Sequence, residues 1–300
     1  MIDLDQLSAF IAIAERGTVT AGARKLHRTQ SAISRRLSLL EDALHAQLFD
    51  RRGAKLVLTD CGRAFLPFAE RALAAVESGR AAVQEQLAPG AGSLAIAIVG
   101  PLVEAPLARA LHGLPRSAAA LSVLTANSAE VSRLVKRGEA NLGVRYFDEI
   151  DPELVSERLG IERLCVVAAP SYDVDDNPRW IGFPNRRTFK EDLGRLLSQQ
   201  LTAAGASDAD VMQVDSMSAQ KRLVEAGLGI ALLPESSVRE ELTRGSLVLR
   251  DVPRVATAIE IHLVYRREGY LSPMARSVIS LLKRAFSSVT LSRGAGAAGS

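Results

Sequence analysis

Residues 20–40 read TAGARKLHRTQSAISRRLSLL, in which two short helical patterns are separated by a few turn-forming residues. In the second pattern Ile33, Leu37 and Leu40 recur at helical spacing and predict one buried face. The opposite side carries small polar and basic side chains, among them Arg35. A helix that packs against the protein core on one face and is polar on the other can lie in the DNA major groove. An ordinary solvated helix surface is the alternative that this pattern alone leaves open.

The residue types on the polar side are those that contact DNA. Gln pairs with adenine, Arg with guanine, and Ser or Thr with bases or phosphates. Farther along, Leu48–Phe49 and Leu56–Leu58 predict two short strands with basic residues and Gly53 in the hairpin between them, a wing beside the helix. The predicted DNA-binding residues are Arg28, Thr29, Gln30, Ser31, Ser34, Arg35, Arg36, Ser38, Arg51, Arg52 and Lys55.

The distribution of charge favours the same interpretation. Residues 16–55 hold nine basic and three acidic residues, whereas the whole chain has 37 basic and 34 acidic residues and a net charge of +3. The basic excess is therefore confined to the segment that contains the two helices and the wing. Neutralisation of phosphates requires such a local excess.

Composition limits the remaining function classes. A chain of 300 residues with 47% hydrophobic content can form two or three domains. The sequence lacks any apolar run of about 18 residues, and acidic Asp3 and Asp5 replace the basic start of a signal peptide, which predicts a soluble cytoplasmic protein. Cys61 and Cys165 are too few and too far apart for a disulfide framework or a zinc site, and two inert thiols are expected.

An enzyme would need a catalytic or cofactor-binding pattern. The four His residues share no metal-ligand spacing, and we find no P-loop, complete dinucleotide turn, nucleophile elbow or His-Glu-x-x-His motif. We therefore expect no catalytic residues, no metal and no cofactor. Two alternatives to a DNA-binding regulator with a ligand-binding region fit less well. A solute-binding module without DNA function would lack the basic N-terminal segment and would normally carry an export signal. A winged-helix protein of a different kind would not explain the two α/β lobes predicted below for the C-terminal two-thirds.

A long helix is predicted from Asp60 to about Leu87, with Pro67 near its start, where a missing N–H costs least. Its apolar residues recur at a period between 3.5 and 3.6 residues. Packing on its own domain and pairing with a second copy both explain the stripe, and the length of the helix favours pairing. The stripe comprises Phe65, Phe68, Ala69, Ala72, Val76, Val83 and Leu87.

Beyond a hinge at residues 89–92, β-type and helical stretches alternate. Leu94–Val99 and Gly229–Leu233 are typical of strands, and Ser128–Arg137 and Met217–Ala226 of helices. This alternation predicts an α/β region with a mainly parallel sheet. The composition of residues 290–300 predicts a disordered tail.

These features together resemble the LysR-type transcriptional regulators. The matching N-terminal positions are Leu7, Phe10, Gly17, Ala21, Ala23, Leu26, Gln30, Ser31, Ala32, Ile33, Ser34, Arg35, Leu40, Glu41, Leu48, Phe49, Arg51, Leu58, Thr59 and Gly62. Residues 138–144 and 224–234 resemble two sequence motifs of the family's effector domain, with Asn141 in place of Asp. Thr18, Gly22 and His45 stand where the family usually has Ser, Ala and Gly. Gly22 should cost up to about 1 kcal/mol relative to Ala, and His45 should cap its helix less tightly.

The resemblance implies a fold and a mechanism. It implies an α/β protein with a winged helix-turn-helix DNA-binding domain (1–59), a linker and dimerisation helix (60–88) and an effector domain similar to periplasmic binding proteins. Lobe I would comprise residues 93–165 and 266–289, and lobe II residues 166–265, with crossovers near 162–168 and 265–270. Such a protein binds promoter inverted repeats as a dimer or homotetramer, responds to a small-molecule effector between the lobes, and contacts RNA polymerase.

The effector site that the resemblance implies lies between the lobes. Its predicted residues are Gly100, Pro101, Leu102, Asn127, Ser128, Arg145, Phe147, Ser216, Met217 and Ala231. Helix N-termini at Ser128 and Ser216, with Arg145, suit a carboxylate. Pro101 and Leu102 stand in the loop where family members commonly use Ser or Thr to hold an acid, so an apolar or weakly acidic effector fits at least as well. Each polar residue is also explained as a helix cap.

Overall fold

A computed structural model describes residues 1–52, 55–88, 92–103, 107–113, 120–173, 178–184, 192–206, 210–252 and 258–291. The chain divides into two compact units, which are described separately. The N-terminal unit is Met1–Leu87 with Lys136–Gly138, and the C-terminal unit is Ala88–Val135 with Glu139–Ser300. Residues 89–91 of the hinge predicted at 89–92, Gly53, and residues 292–300 of the tail predicted at 290–300 lie outside the described residues.

The N-terminal unit is a three-helix cluster followed by a hairpin and a long helix. Its elements are α1 (Leu4–Arg16), α2 (Val19–Lys25), α3 (Gln30–Leu44), β1 (Phe49–Arg52), β2 (Lys55–Leu58) and α4 (Asp60–Leu87). Phe10 is fully buried, and its ring centroid lies 5.4 Å from that of Phe49 and 5.6 Å from that of Phe65. Aromatic contact therefore joins α1 to the hairpin and to α4.

Side-chain caps fix where the first three helices begin. Asp3 and Gln6 form a reciprocal capping box on α1, Thr18 accepts from the Ala21 N–H at α2, and Thr29 accepts from the Ala32 N–H at α3. α3 ends at His45, which adopts the left-handed conformation with φ 50°. The His45 N–H still bonds to carbonyls of the last turn, so the missing Gly costs backbone strain rather than the capping bond.

Gly22 has a packing role that its helical position does not reveal. A Cβ at this position would lie 3.2 Å from the backbone nitrogen of Ile13 and 3.3 Å from the carbonyl carbon of Ala12. The absent side chain therefore allows α2 to approach α1 closely. This contact offsets part of the lower helix propensity expected for Gly.

The C-terminal unit alternates strands and helices. Its elements are β3 (Leu94–Ile98), a 3-10 turn (Gly100–Leu102), α5 (Ala108–His112), β4 (Leu121–Thr125), α6 (Ser128–Lys136), β5 (Leu142–Tyr146), β6 (Leu154–Ala168), β7 (Trp180–Gly182), α7 (Asp192–Ala203), β8 (Val211–Gln213), α8 (Met217–Glu225), β9 (Ala231–Pro234), α9 (Glu235–Arg244), β10 (Val248–Arg250), β11 (Ala258–Arg266) and α10 (Pro273–Leu291).

One long strand, β6, is shared by both lobes. Its first part, Leu154–Arg163, pairs with β11, and its last part, Leu164–Ala168, pairs with β9 and β10. Lobe I therefore contains β3, β4, β5, β11 and the start of β6, whereas lobe II contains the end of β6 with β9 and β10. The parallel pair β7–β8 is linked to Ile230, just before β9, by a bridge from Trp180.

Two expectations about this unit need correction. The sheet is mixed rather than mainly parallel, because β6 and β11 are antiparallel to each of their described partners. The second crossover also comes earlier than 265–270. Since Ala258 already pairs with Arg163 in lobe I, the chain returns between Val252 and Ala258. Within the described ranges, no helix combines the length and apolar character needed to cross a bilayer.

Candidate functional site

The polar face of α3 is exposed because its other face is held by the core. Ile33, Leu37 and Leu40 are buried, at spacings of four and three residues. The residues predicted to contact DNA lie on the exposed side of α3 or just before it. Exposed on this surface are Arg28, Thr29, Gln30, Ser31, Ser34, Arg35 and Ser38, while Arg36 is half-buried. The structure thus brings the predicted helix residues together on one surface, which we call the α3 face.

Hydrogen bonds order the start of the α3 face. The Thr20 hydroxyl lies 3.2 Å from Oε1 of Gln30, and the Thr29 and Ser31 hydroxyl oxygens are 3.2 Å apart. These contacts hold small polar side chains around the first turn of α3, where backbone N–H groups lack helical partners. A helix start of this kind suits a phosphate oxygen.

The two neighbouring arginines of α3 differ in their surroundings. The guanidinium of Arg36 forms an ion pair with Asp5 of α1, although Asp5 itself is largely exposed. Arg35 is exposed, and no ion pair joins it to the described residues. Arg35 therefore offers the freer cation, whereas Arg36 must leave Asp5 before it can bind a phosphate.

The wing places its cations on strands. Arg51 and Arg52 lie in β1 and Lys55 begins β2, so the predicted strands extend to include these basic residues of the hairpin. Arg51 and Lys55 are exposed. In the antiparallel register of β1 and β2, Arg52 lies opposite Lys55.

Glu41 fixes the wing against α3, a role that the sequence analysis did not assign. Its buried Oε1 accepts the Leu48 N–H at 2.7 Å and lies 3.4 Å from the Phe49 nitrogen. Gly62 of α4 contacts the same residue: a Cβ at Gly62 would lie 2.2 Å from the Leu48 carbonyl oxygen, so a larger residue would not fit there. A lone acid on the apolar side of α3 was the available signal for this anchor.

In the C-terminal unit, several of the residues predicted to bind an effector have structural roles. Oδ1 of Asn127 accepts the Glu130 N–H at 2.9 Å, and Oγ of Ser216 accepts the Ala219 N–H at 3.4 Å, so both cap helices. Ser128 and Ala231 are buried. Phe147 has φ 65°, and its N–H donates to the Glu260 carbonyl.

Arg145 is buried and paired. Its guanidinium forms an ion pair with Glu149 and donates to the Ser132 hydroxyl at 2.7 Å and the Tyr146 carbonyl at 3.2 Å. This arrangement already uses the charge that the sequence analysis assigned to an effector carboxylate. The 3-10 turn of Gly100, Pro101 and Leu102 follows β3, with the Leu102 side chain fully buried.

Four groups meet where the lobes join, and sequence reasoning missed three of them. Glu162 of β6 is buried, and its Oε1 accepts the Ser236 N–H at 3.0 Å. The Ser236 hydroxyl reaches toward the Pro101 carbonyl at 3.4 Å, and the Tyr146 hydroxyl is buried beside them. We call Pro101, Tyr146, Glu162 and Ser236 the junction cluster.

Burial dominates the electrostatics of the junction cluster. It raises the pKa of Glu162 from 4.5 to about 7, against the opposing effects of the Ser236 hydrogen bonds and of Arg239. Burial and then the Glu162 carboxylate raise the pKa of Tyr146 well above its usual value. The Ser236 hydroxyl lies close enough to oppose that rise, but the Tyr146 hydroxyl has no hydrogen bond of good geometry among the described residues.

No group of three His, Cys, Asp or Glu side chains in the described part of the chain could hold a metal ion. Burial raises the pKa of the Cys165 thiol to about 12, which keeps it protonated and unreactive. Cys61 is exposed at the start of α4.

The sequence matches two family models that together span most of the chain. Residues 4–63 match the bacterial regulatory helix-turn-helix protein, lysR family, and residues 88–287 match the LysR substrate binding domain. The HTH-type transcriptional regulator TfdS of Cupriavidus pinatubonensis is 26% identical over 302 residues, which cover 94% of this chain and 98% of the relative.

Solved structures show the same architecture. ArgP from Mycobacterium tuberculosis is 20% identical with a TM-score of 0.64, covering 94% of this chain and 96% of that one. DarR from Vibrio fischeri, solved in complex with DNA, is 23% identical with a TM-score of 0.52, covering 94% and 99%. At these identities the likeness concerns the fold.

Proposed function

The chain belongs to the LysR family of bacterial transcriptional regulators, and from this premise we propose how its parts act. It is a DNA-binding transcriptional regulator with an N-terminal helix-turn-helix domain and a C-terminal effector-binding domain. Its relatives are regulators rather than enzymes, and we assign no catalytic role to any residue.

The α3 face reads the DNA. Two copies of residues 30–38 enter successive major grooves of an imperfect inverted repeat, and Arg51, Arg52 and Lys55 of each wing contact the backbone or the minor groove. The observation that carries this proposal is the exposed polar surface of α3, anchored behind by Ile33, Leu37 and Leu40. Arg35 is the strongest candidate for a guanine contact because it is exposed and free of an ion pair with the described residues.

The second half of α4 pairs with its copy. Phe68, Val76, Val83 and Leu87 are 60%, 39%, 59% and 80% exposed, which is unusual for large apolar side chains. Val76, Val83 and Leu87 follow a heptad spacing, as coiled-coil pairing requires. The rest of the stripe (Phe65, Ala69 and Ala72) packs within the N-terminal unit, so both interpretations of the helix apply, each to a different part. Dimers then assemble into a homotetramer.

A small molecule binds at the junction of lobes I and II and controls transcription. The 3-10 turn at Gly100–Leu102 and the start of α9 meet there, where a ligand can alter the angle between the lobes. Such a ligand shifts the equilibrium only by its differential affinity for the two arrangements. The altered tetramer changes DNA bending and contact with RNA polymerase.

Gel retardation on the chain's own upstream DNA, at a stated salt concentration, tests this function. The full-length protein should retard that fragment more strongly than a random fragment of equal length, and footprinting should show two protected half-sites. The variant Arg35→Ala should weaken this preference. The matched control Arg276→Ala, which removes an exposed cation from α10 of the C-terminal unit, should not. Absence of any protected site across salt conditions would overturn the proposal.

A further inference from the structure

We infer that the effector of this regulator carries a cationic, N–H-donating group, such as an ammonium, amidinium or guanidinium, and that this group binds Glu162 in the junction cluster. The inference rests on the proposed function, which places an effector between the lobes. It adds the chemical class of the ligand and the side chain that selects it.

The first observation is an acid without a counter-ion. Glu162 is 4% exposed, and among the described residues no Lys, Arg or His lies within ion-pair distance of it. It accepts the Ser236 N–H, and the Ser236 hydroxyl also lies close enough to lower its pKa. Arg163 is exposed and pairs with Glu235, and Arg239 acts on Glu162 only weakly, so no described cation forms an ion pair with the Glu162 carboxylate. A buried carboxylate in this state favours a cation.

The second observation is a hydroxyl without a partner. Tyr146 is fully buried, yet its hydroxyl makes no hydrogen bond of good geometry to any described residue. The Ser236 hydroxyl and the Glu162 carboxylate both act on the pKa of Tyr146, and Ser236 itself donates its N–H to Glu162. The Glu162 carboxylate and the Pro101 carbonyl only accept hydrogen bonds, whereas the Ser236 and Tyr146 hydroxyls can both donate and accept. A ligand group that carries several N–H donors satisfies the two acceptors, whereas a carboxylate would meet the negative charge of Glu162.

The groups suited to an anion are already used. Arg145 is paired with Glu149, and Asn127 and Ser216 are occupied as helix caps. Arg145, the cation predicted to hold a carboxylate, therefore already has a partner within the protein. The group at the junction without an ion-pair partner is negatively charged, which favours a cationic ligand over the apolar or acidic effectors expected from the sequence.

An open cavity lies farther along β6. Glu162, Leu164 and Val166 are alternate residues, so they share the buried face of that strand. Leu164 and Val166, with Leu232 of β9, line an open cavity of about 340 Å³ whose lining also includes the charged residues Arg250 and Asp251, but not Glu162. A ligand with its cation at Glu162 would have to extend past Leu164 to place an apolar body in this cavity. Entry requires the long Ser236–Pro101 contact between the lobes to open.

Thermal unfolding of the full-length protein with small probes that are similar in size but differ in charge tests the inference. The cationic probes are n-butylamine, benzylamine, benzamidine and agmatine, the neutral ones are butanol, benzyl alcohol and benzamide, and the anionic ones are butyrate and benzoate. Measurements are made above the Glu162 pKa of about 7, so that the carboxylate is ionised. At least one cation at millimolar concentration should raise the melting temperature more than any neutral or anionic probe.

Variants assign the effect to the junction cluster. Glu162→Gln keeps an acceptor for the Ser236 N–H and should weaken cation binding about tenfold or more, because a charge-assisted bond is lost. Tyr146→Phe tests the same site without changing the charge and should weaken binding several-fold. Glu240→Gln removes an exposed acid from α9 and should leave binding unchanged. Each variant must first show the Trp180 emission of the folded protein.

Three results would overturn the inference: no cation stabilises the protein, an anion stabilises it most, or Glu162→Gln retains full cation binding. Gel retardation on the upstream DNA is run in parallel on the same preparations. If specific retardation persists while the cation test fails, the regulator assignment stands and only the ligand class is wrong. If wild type fails to retard the DNA, the proposed function itself fails.

Discussion

Replacing Glu162 with Gln should change how the stability of the C-terminal unit depends on pH. The substitution keeps the size of the side chain and an oxygen acceptor for the Ser236 N–H, but it removes the ionisable group. In the wild type, burial raises the Glu162 pKa from 4.5 to about 7, so the folded state resists ionisation. The variant should lack this resistance.

The sign and size follow from proton linkage. Between pH 4.5 and about 7 the unfolded chain has released the Glu162 proton while the folded chain retains it, so this group's contribution to stability falls as pH rises. Below that window both states are protonated, and above it both are ionised and the full penalty applies. A shift of that size corresponds to roughly 3 kcal/mol. The stability advantage of Glu162→Gln over wild type should therefore grow by about that amount across the window.

Trp180 makes the measurement specific to this unit. It is the single tryptophan of the chain and is buried in the C-terminal core, so its fluorescence in urea reports unfolding of that region within the full-length protein. Urea midpoints of wild type, Glu162→Gln and the exposed control Glu240→Gln would be compared at several pH values. A difference between Glu162→Gln and wild type that stays constant with pH would refute the reasoning.

Three further predictions concern the N-terminal unit. Arg35→Ala should cost about 1–3 kcal/mol in specific DNA binding by titrated gel retardation, and an equal loss on random DNA would show contact with phosphate only. Asp5→Asn should release Arg36 and steepen the salt dependence of binding by about one phosphate contact, whereas an unchanged slope would show that Arg36 stays off the DNA. His45→Gly should stabilise the end of α3 by about 1 kcal/mol, since φ there is 50° and the side chain is exposed. Slower hydrogen exchange of the α3 amides would show this gain, and unchanged exchange would count against it.

The N-terminal unit was predictable because its signals are local. Helical spacing placed Ile33, Leu37 and Leu40 on the buried face of α3, and the same residues are buried in the structure. Thr18 and Thr29 cap α2 and α3, and a Thr just before an apolar helical run is a local signal of this kind. The structural role of Glu41 was not predictable, since its partners Leu48 and Phe49 come from beyond the helix end.

The C-terminal unit was predictable only in part because its pairing is not local. α9 was missed: its sequence ESSVREELTR is mostly polar, and Val238 is its fully buried apolar residue. The start of β6 was missed for a similar reason, since charged residues interrupt it and both its faces are partly covered. Ile259–Tyr265 belongs to β11, and the pairing of β11 with the first part of β6 places it in lobe I. An apolar run in the sequence fits either lobe.

The effector site shows the same limit in chemical terms. Arg145 lies near the end of β5, and nothing in the local pattern revealed that Glu149 neutralises it. Tyr146 and Glu162 lie on different strands, and Ser236 lies far along the chain on α9. Only the shared strand β6, together with the start of α9, brings these groups to one point. The sequence therefore singled out Pro101 of this cluster but not the buried acid beside it.

A comparison of the buried acids in the described residues explains why Glu162 is the informative one. Glu41 accepts backbone N–H groups from the wing, and Glu241 lies 2.9 Å from Lys221 Nζ and 3.4 Å from Arg244. Both carboxylates thus have partners within the protein that offset the free-energy cost of burying them. Glu162 has a single N–H partner and a penalty of roughly 3 kcal/mol when ionised. Gln at this position would keep that bond without the penalty, so the carboxylate is best explained by a positive partner that arrives from outside the chain.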